Sequence, residues 1–225
     1  PTNPYAASDL VMLFRKQLKL CKVKPGETVL LFTDPQFAYH YPAAMFAALQ
    51  TLEAKVILMT VPSEPGSLEF PGVAETWAAV DMVIGMTGLP WLFSPVHNRV
   101  RQAGTTRTLM VQEPIATLRR LFPCPEVRAR CIAGAQRLTE GRIVRFVSDA
   151  GTDLVVDKTD VEASYQCGIS DTPGQWDQWP QGHVLFREGS GDGVIVVPRT
   201  AAFDVACHAR RELEQDKAGR RRLYE

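Results

Sequence analysis

Along the first 140 residues the apolar positions alternate between two spacings. In SDLVMLFRKQLKLC, residues 8–21, apolar side chains at 10, 11, 13, 14, 18 and 20 predict an amphipathic helix that Ser8 or Asp9 can cap. A KPGE turn follows, then TVLLFTD (28–34), a continuous apolar run bounded by turn signals. Such a run predicts a strand buried on both faces. The alanine-rich YPAAMFAALQTLEA (41–54) predicts a second helix, and KVILMTVP, DMVIGMTG and TRTLMVQEP predict three more buried strands. Short helical segments are expected near 73–79 and 95–103.

Strand, helix, strand at this spacing implies an α/β fold with a doubly wound, mostly parallel sheet and helices on both faces. Ligands of such sheets collect beyond the carboxyl ends of the strands. Here those ends read TDPQ (33–36), VPSEPG (61–66), MTGLPW (86–91) and QEP (112–114), and His40 begins a helix at that edge. Neither GxGxxG nor GxxxxGK[ST] occurs, so no nucleotide cofactor is expected.

Beyond a helix expected at 126–139 the period changes to two. RIVRFVSDAGTDLVVDKTD alternates around a DAGT turn and predicts a hairpin; HVLFRE and GVIVVP, separated by GSGDG, predict a second. The expected organisation is an α/β domain over 1–140 and a partial β-rich domain with a helical tail over 141–225. Two hairpins make a small domain with open edges, which favours a homo-oligomer.

Composition narrows the partners. Twenty-five basic and 25 acidic side chains give zero formal charge, against a dedicated nucleic-acid binder. No apolar run approaches the roughly 18 to 20 residues that span a bilayer, and PTNPYAASDLVMLFRK lacks the pattern of a signal peptide. Five scattered cysteines form no CxxC, which fits reduced thiols in a cytoplasmic protein.

The candidate chemistry centres on DTPGQWDQWPQG, residues 171–182. Trp176 and Trp179 either plug the core or wall a pocket for a flat ligand. Ser94 before Pro95 reads as a helix cap with proline at the first helical position rather than as a nucleophile. His183 heads a strand and is the candidate metal ligand, whereas His97 and His208 read as surface residues.

Two of these segments occur together in a known family. AGTDLVVD (150–157) resembles the GTDL segment that opens the C-terminal domain of the M29, aminopeptidase T-like metallopeptidases. DTPGQWDQWPQG resembles the D-x-PG-x-WD-x-WP-x-G loop of the related bacterial 2,5-dihydroxypyridine 5,6-dioxygenases. KLCKVKPGETV, LEAKVILMTVP and DMVIGMTGLPWLFSP are similar to that family's N-terminal layout, so the resemblance spans roughly residues 8–197. It implies a non-haem Fe(II) enzyme that opens a dihydroxylated pyridine ring with O₂, the metal held by two histidines and a carboxylate. In the family those ligands follow the β segment, so they are expected beyond the residues present here.

The resemblance also implies a substrate site at Phe93, Gln166, Trp176, Gln178 and Trp179. Phe93 stands where the family has a histidine before an SP dipeptide, Gln166 where it has a glutamate, and Gln178 where it has a histidine. Each exchange replaces a group that can move a proton with one that cannot. The expected ligand is a small aromatic or peptide-like molecule, with no nucleic acid and no membrane as partner. Three functions follow: ring-opening dioxygenase, non-catalytic binder of a flat aromatic, or M29-like metal-dependent aminopeptidase.

Overall fold

The computed structural model describes residues 5–38, 40–64, 66–179, 182–186 and 189–196; the expected helical tail, with His208, lies outside them. Its helices are α1 (Tyr5–Leu20), α2 (His40–Gln50), α3 (Val73–Ala78), α4 (Pro95–Ala103), α5 (Ile115–Arg120) and α6 (Pro125–Glu140). Its strands are β1 (Thr28–Thr33), β2 (Lys55–Thr60), β3 (Met82–Met86), β4 (Arg107–Val111), β5 (Ile143–Val147), β6 (Asp153–Asp157), β7 (Ala163–Gln166), β8 (Trp176–Trp179), β9 (His183–Phe186) and β10 (Ser190–Val194). The chain divides into two compact units, Pro1–Ala135 with Ser164–Leu185, and Gln136–Ala163 with Phe186–Glu225. Residues 136–163 fall in the second unit, and residues 164–185 return to the first.

The first unit is a five-stranded sheet in the order β2-β1-β3-β4-β8, every pairing parallel. The four expected strands are present; helices on both faces explain the apolar runs of β1, β3 and β4, whereas β2, expected as a buried strand, is the sheet's outer strand and has no buried residue. Alternation sends Val29, Leu31, Ile84 and Leu109 to one side, with Phe14 and Leu18 of α1 and Met45 and Leu49 of α2. Leu30, Phe32 and Val83 point the other way, against Trp77 of α3 and Val96 and Val100 of α4. Each such side chain, fully buried, contributes about 1.5–3 kcal/mol. The indole of Trp91 lies flat against Gly85 and leaves no room for a β-carbon there.

The fifth strand departs from the sequence reading. Residues 176–179, expected as loop, form β8 and pair with Thr108–Val111 of β4. A two-stranded sheet of β7 and β9 accompanies it. At the other end of the chain, α1 starts at Tyr5, ahead of the expected caps, and Asp9 lies inside it, paired with Arg119 at 2.9 Å.

In the second unit β5 and β6 form the expected hairpin, clasped by Arg145 on Asp153 at 2.8 Å. The second expected hairpin does not form. β9 pairs with β7, and β10 pairs with β6. The GSGDG stretch, expected as a turn, is mostly strand. The reason is steric: Gly193 has φ 140° and lies so close to the Asp153–Leu154 backbone that no β-carbon fits.

Candidate functional site

The turn that leads into β8 is held by side-chain hydrogen bonds and ion pairs. Gln175 bridges the turn: its Oε1 accepts from the N–H groups of Asp171 and Thr172 at 3.0 and 3.2 Å, and its Nε2 donates to Ile169 O at 2.7 Å. Asp171 is nearly buried and receives Lys22 at 2.7 Å and both terminal nitrogens of Arg128 at 2.9 and 3.0 Å. Burial alone would raise this carboxyl, but the two cations outweigh it and hold it at about 2.

Asp177 is the second anchor. It is fully buried and accepts from the backbone N–H groups of Gly168, Cys167 and Gln178 at 2.8, 3.0 and 2.7 Å. No ion pair reaches it among the described residues. Burial therefore wins over these hydrogen bonds and pushes its carboxyl up to about 6. The neighbouring thiols of Cys21 and Cys167 are likewise driven to about 12 by burial, which leaves them inert as nucleophiles at neutral pH.

Strand alternation separates the two tryptophans. Trp179 faces α1 and is fully buried, edge-on to Phe14 and Phe122 with centroids 6.0 and 5.7 Å away. Trp176 is half-buried on the opposite face, where Phe93 meets it edge-on at 5.0 Å and the Arg101 guanidinium lies 5.5 Å from its ring centre. Gln178 shares the Trp176 face by alternation and is also half-buried.

Phe93 is held in an unusual conformation. Its φ is 62°, a left-handed value that costs a bulky residue of order 1–3 kcal/mol. Its N–H donates to Nδ1 of His97 at 3.0 Å, and its carbonyl accepts from Asn98 at 2.9 Å. Because a backbone N–H can only donate, Nδ1 of His97 is the bare nitrogen and Nε2 carries the proton, donating to Thr108 at 3.1 Å. His97 is fully buried, which corrects the surface reading: it supports Phe93 from behind. Ser94 does cap α4, accepting from His97 N–H at 3.2 Å, with Pro95 at the first position.

At the carboxyl edge of the sheet, sequence reasoning marked the strand ends but missed the residue that joins them. Asp34 follows β1, and its carboxylate accepts from Ser63 after β2, from Thr87 and Gly88 after β3, and from Gln36 N–H. β1 and β3 are neighbours across the point where the strand order reverses, the usual ligand crevice. Here Asp34 closes that crevice. Burial opposes its charge, but four hydrogen bonds keep its carboxyl below the ordinary value, so it organises loops and has no capacity left for a ligand.

The five expected substrate residues are therefore not all gathered. Phe93 and Trp176 touch and Gln178 shares their face, whereas Trp179 belongs to the core on the other side. Gln166 ends β7, is 1% exposed, and its Nε2 has no hydrogen-bond partner among the described residues.

Comparison with known proteins fits this architecture. The family described as 2,5-dihydroxypyridine 5,6-dioxygenase matches residues 9–216. The chain belongs to that family. It is 29% identical over 216 residues to the 2,5-dihydroxypyridine 5,6-dioxygenase of Pseudomonas putida KT2440, covering 86% of this chain and 60% of that protein. A solved structure of the 2,5-dihydroxypyridine dioxygenase from the same organism superposes with a TM-score of 0.74 at 26% identity, over 82% of this chain and 56% of that one. The aminopeptidase AmpT of Thermus thermophilus shares the fold, with a TM-score of 0.58 at 13% identity, over 85% of this chain and 65% of that one. The chain thus spans a little over half the length of the dioxygenases it resembles.

Within this family fold, no three His, Cys, Asp or Glu side chains among the described residues are arranged to hold a metal. His183, the candidate ligand, heads β9 half-buried, and burial lowers its basicity. The described residues therefore do not form a cradle for Fe(II). Among them, too, no helix is long and apolar enough to cross a membrane.

Proposed function

We propose that this chain serves the ring opening of a dihydroxypyridine-like aromatic, and that its own part is to bind the flat ring at Phe93 and Trp176 in the cytoplasm. The observation that carries this reading is the exposure of the pair. Of the four tryptophans, Trp77, Trp91 and Trp179 are sealed in the core, and Trp176 alone reaches the surface, beside a Phe93 that is 42% exposed. A buried Phe93 would justify its strained backbone by packing; an exposed one at a family substrate position is better explained by a ligand.

The chemistry of the face suits a hydroxylated heteroaromatic. Aromatic edges hold a flat ring in place, the amide of Gln178 offers a donor and an acceptor to ring hydroxyl or nitrogen, and Arg101 brings positive charge to the π face of Trp176. An ionised hydroxypyridine would be favoured there over a neutral ring. None of Phe93, Gln178 and Trp176 can take or give a proton near neutral pH, so these residues bind and orient. Fe(II), which the family resemblance implies, would supply the oxygen chemistry, and the described residues assign it no ligands.

Titrating 2,5-dihydroxypyridine into the chain while following tryptophan fluorescence tests this. Quenching that saturates in the parent chain and is lost in Trp176→Phe supports the reading. Quenching that survives unchanged in Trp176→Phe and in Phe93→Ala contradicts it.

A further inference from the structure

Phe93 lies in the loop that precedes α4, and α4 reaches back to hold both of its backbone groups. Nδ1 of His97 accepts from the Phe93 N–H at 3.0 Å, and the Asn98 amide donates to the Phe93 carbonyl at 2.9 Å. These two bonds fix a φ of 62° that a phenylalanine does not adopt unaided. The His97 ring is itself locked. Its Nε2 meets Thr108 of β4 at 3.1 Å, and Trp91, Trp176 and Phe93 pack around it with ring centroids 5.2, 6.0 and 6.1 Å away. One fully buried imidazole thus packs beside both residues of the surface aromatic pair and sets the backbone of one of them.

This arrangement requires an acceptor at Nδ1. A backbone N–H can only donate, and an imidazolium carries a proton on each nitrogen. With a proton on Nδ1, His97 would set one donor against another, and the left-handed turn at Phe93 would lose the bond that holds it. We propose that His97 is a positioning residue for the ring site: its bare Nδ1 holds Phe93 beside Trp176, and a proton gained there releases Phe93 and weakens ligand binding. The proposal rests on the ring-binding reading above and adds to it a dependence on pH. Few charged groups stand on the elements around this imidazole. Residues 87–94 carry none. On α4, Arg101 lies 5.5 Å from the Trp176 ring centre and Arg99 is exposed. Glu75 of α3 binds the Gly72 N–H, and Arg107 of β4 turns to Glu27 and the Cys21 carbonyl. Asp177 of β8 accepts from backbone donors on the opposite face of the sheet.

Binding of 2,5-dihydroxypyridine, followed by tryptophan fluorescence from neutral to acid pH, tests this in the parent and in two variants of the full chain. Asparagine can place its Oδ1 where Nδ1 stands and does not titrate, whereas glutamine reaches the Nε2 position and leaves Nδ1 without a counterpart. At neutral pH His97→Gln should bind about tenfold more weakly than the parent, the effect of one lost buried hydrogen bond. His97→Asn should bind within a few fold of the parent. The parent should lose affinity over the pH range in which long-range ¹H–¹⁵N spectra show His97 taking up its second proton, and His97→Asn should lack that loss. Equal affinity of the parent and His97→Gln, equal weakening in the two variants, or an acid loss that persists unchanged in His97→Asn overturns the proposal and leaves the ring-binding reading standing. Absence of saturable quenching in the parent overturns both. Should His97→Gln fail to fold by circular dichroism, the pH comparison of the parent with His97→Asn decides alone.

Discussion

Two aspartates six positions apart in one motif behave in opposite ways, and the difference is a matter of neighbours. Asp171 has two cations and is held at about 2; Asp177 has backbone donors only and is raised to about 6. The depressed carboxyl stabilises the fold above its ordinary value of 3.8 and loses that contribution as pH falls toward 2. The raised one works the other way. Its contribution is full below 3.8 and declines as pH climbs to about 6, beyond which a charge is buried without a counter-ion. At roughly 1.4 kcal/mol per pH unit this amounts to about 3 kcal/mol. Chemical denaturation of Asp177→Asn against the parent should show the parent favoured by that much more at pH 4 than at pH 7. A difference that does not move with pH would contradict the assignment. Asp171→Asn should cost about 2 kcal/mol at pH 7 and nothing near pH 2. None of this was legible in the sequence, where both residues read as polar loop positions; burial decides, and burial is set by segments more than a hundred residues away, such as Lys22.

At the scale of elements, the strands that could be read were those with a continuous apolar run, β1 to β4; burial on both faces forces that run in β1, β3 and β4, whereas β2 carries it as the outer strand. β8 could not be read that way, because four residues with two polar side chains carry too little apolar signal. Its alternation was nevertheless present: Trp179 and Asp177 face one way, Trp176 and Gln178 the other. Of the two tryptophans, Trp179 plugs the core, and Trp176 stands half-buried on the opposite face, where the proposed ligand would lie. Substitution should show the division directly. Trp179→Ala, in a fully packed site, should lose about 3–5 kcal/mol of stability, and Trp176→Phe less than about 1 kcal/mol, as measured by urea unfolding. Equal losses would mean that Trp176 is as structural as its neighbour. Gly85→Ala, with the Trp91 indole in the way, should lower the melting temperature by several degrees.

At the scale of the molecule, the doubly wound class followed from the order of periods, and the family from the WD-x-WP motif. The motif's residues turn out to divide their work. Asp171, Gln175, Asp177 and Trp179 build and anchor the fifth strand, and that anchoring presents Trp176 and Gln178 on the face of α4. The motif is thus scaffold and, in the proposed function, binding surface as well. The β-rich segment was the least legible part, because a glycine-rich strand looks like a turn until its neighbour is known.

The measurement that bears most directly on the account is a titration of the ¹⁵N-labelled chain with 2,5-dihydroxypyridine, following the four tryptophan indole N–H signals. Three of these nitrogens, on Trp77, Trp91 and Trp179, are buried without a hydrogen-bond partner among the described residues. The account predicts a saturable shift of the Trp176 signal, identified by its loss in Trp176→Phe, with the other three unmoved. A shift confined to the buried set, or no shift at ligand concentrations that saturate binding, would contradict it.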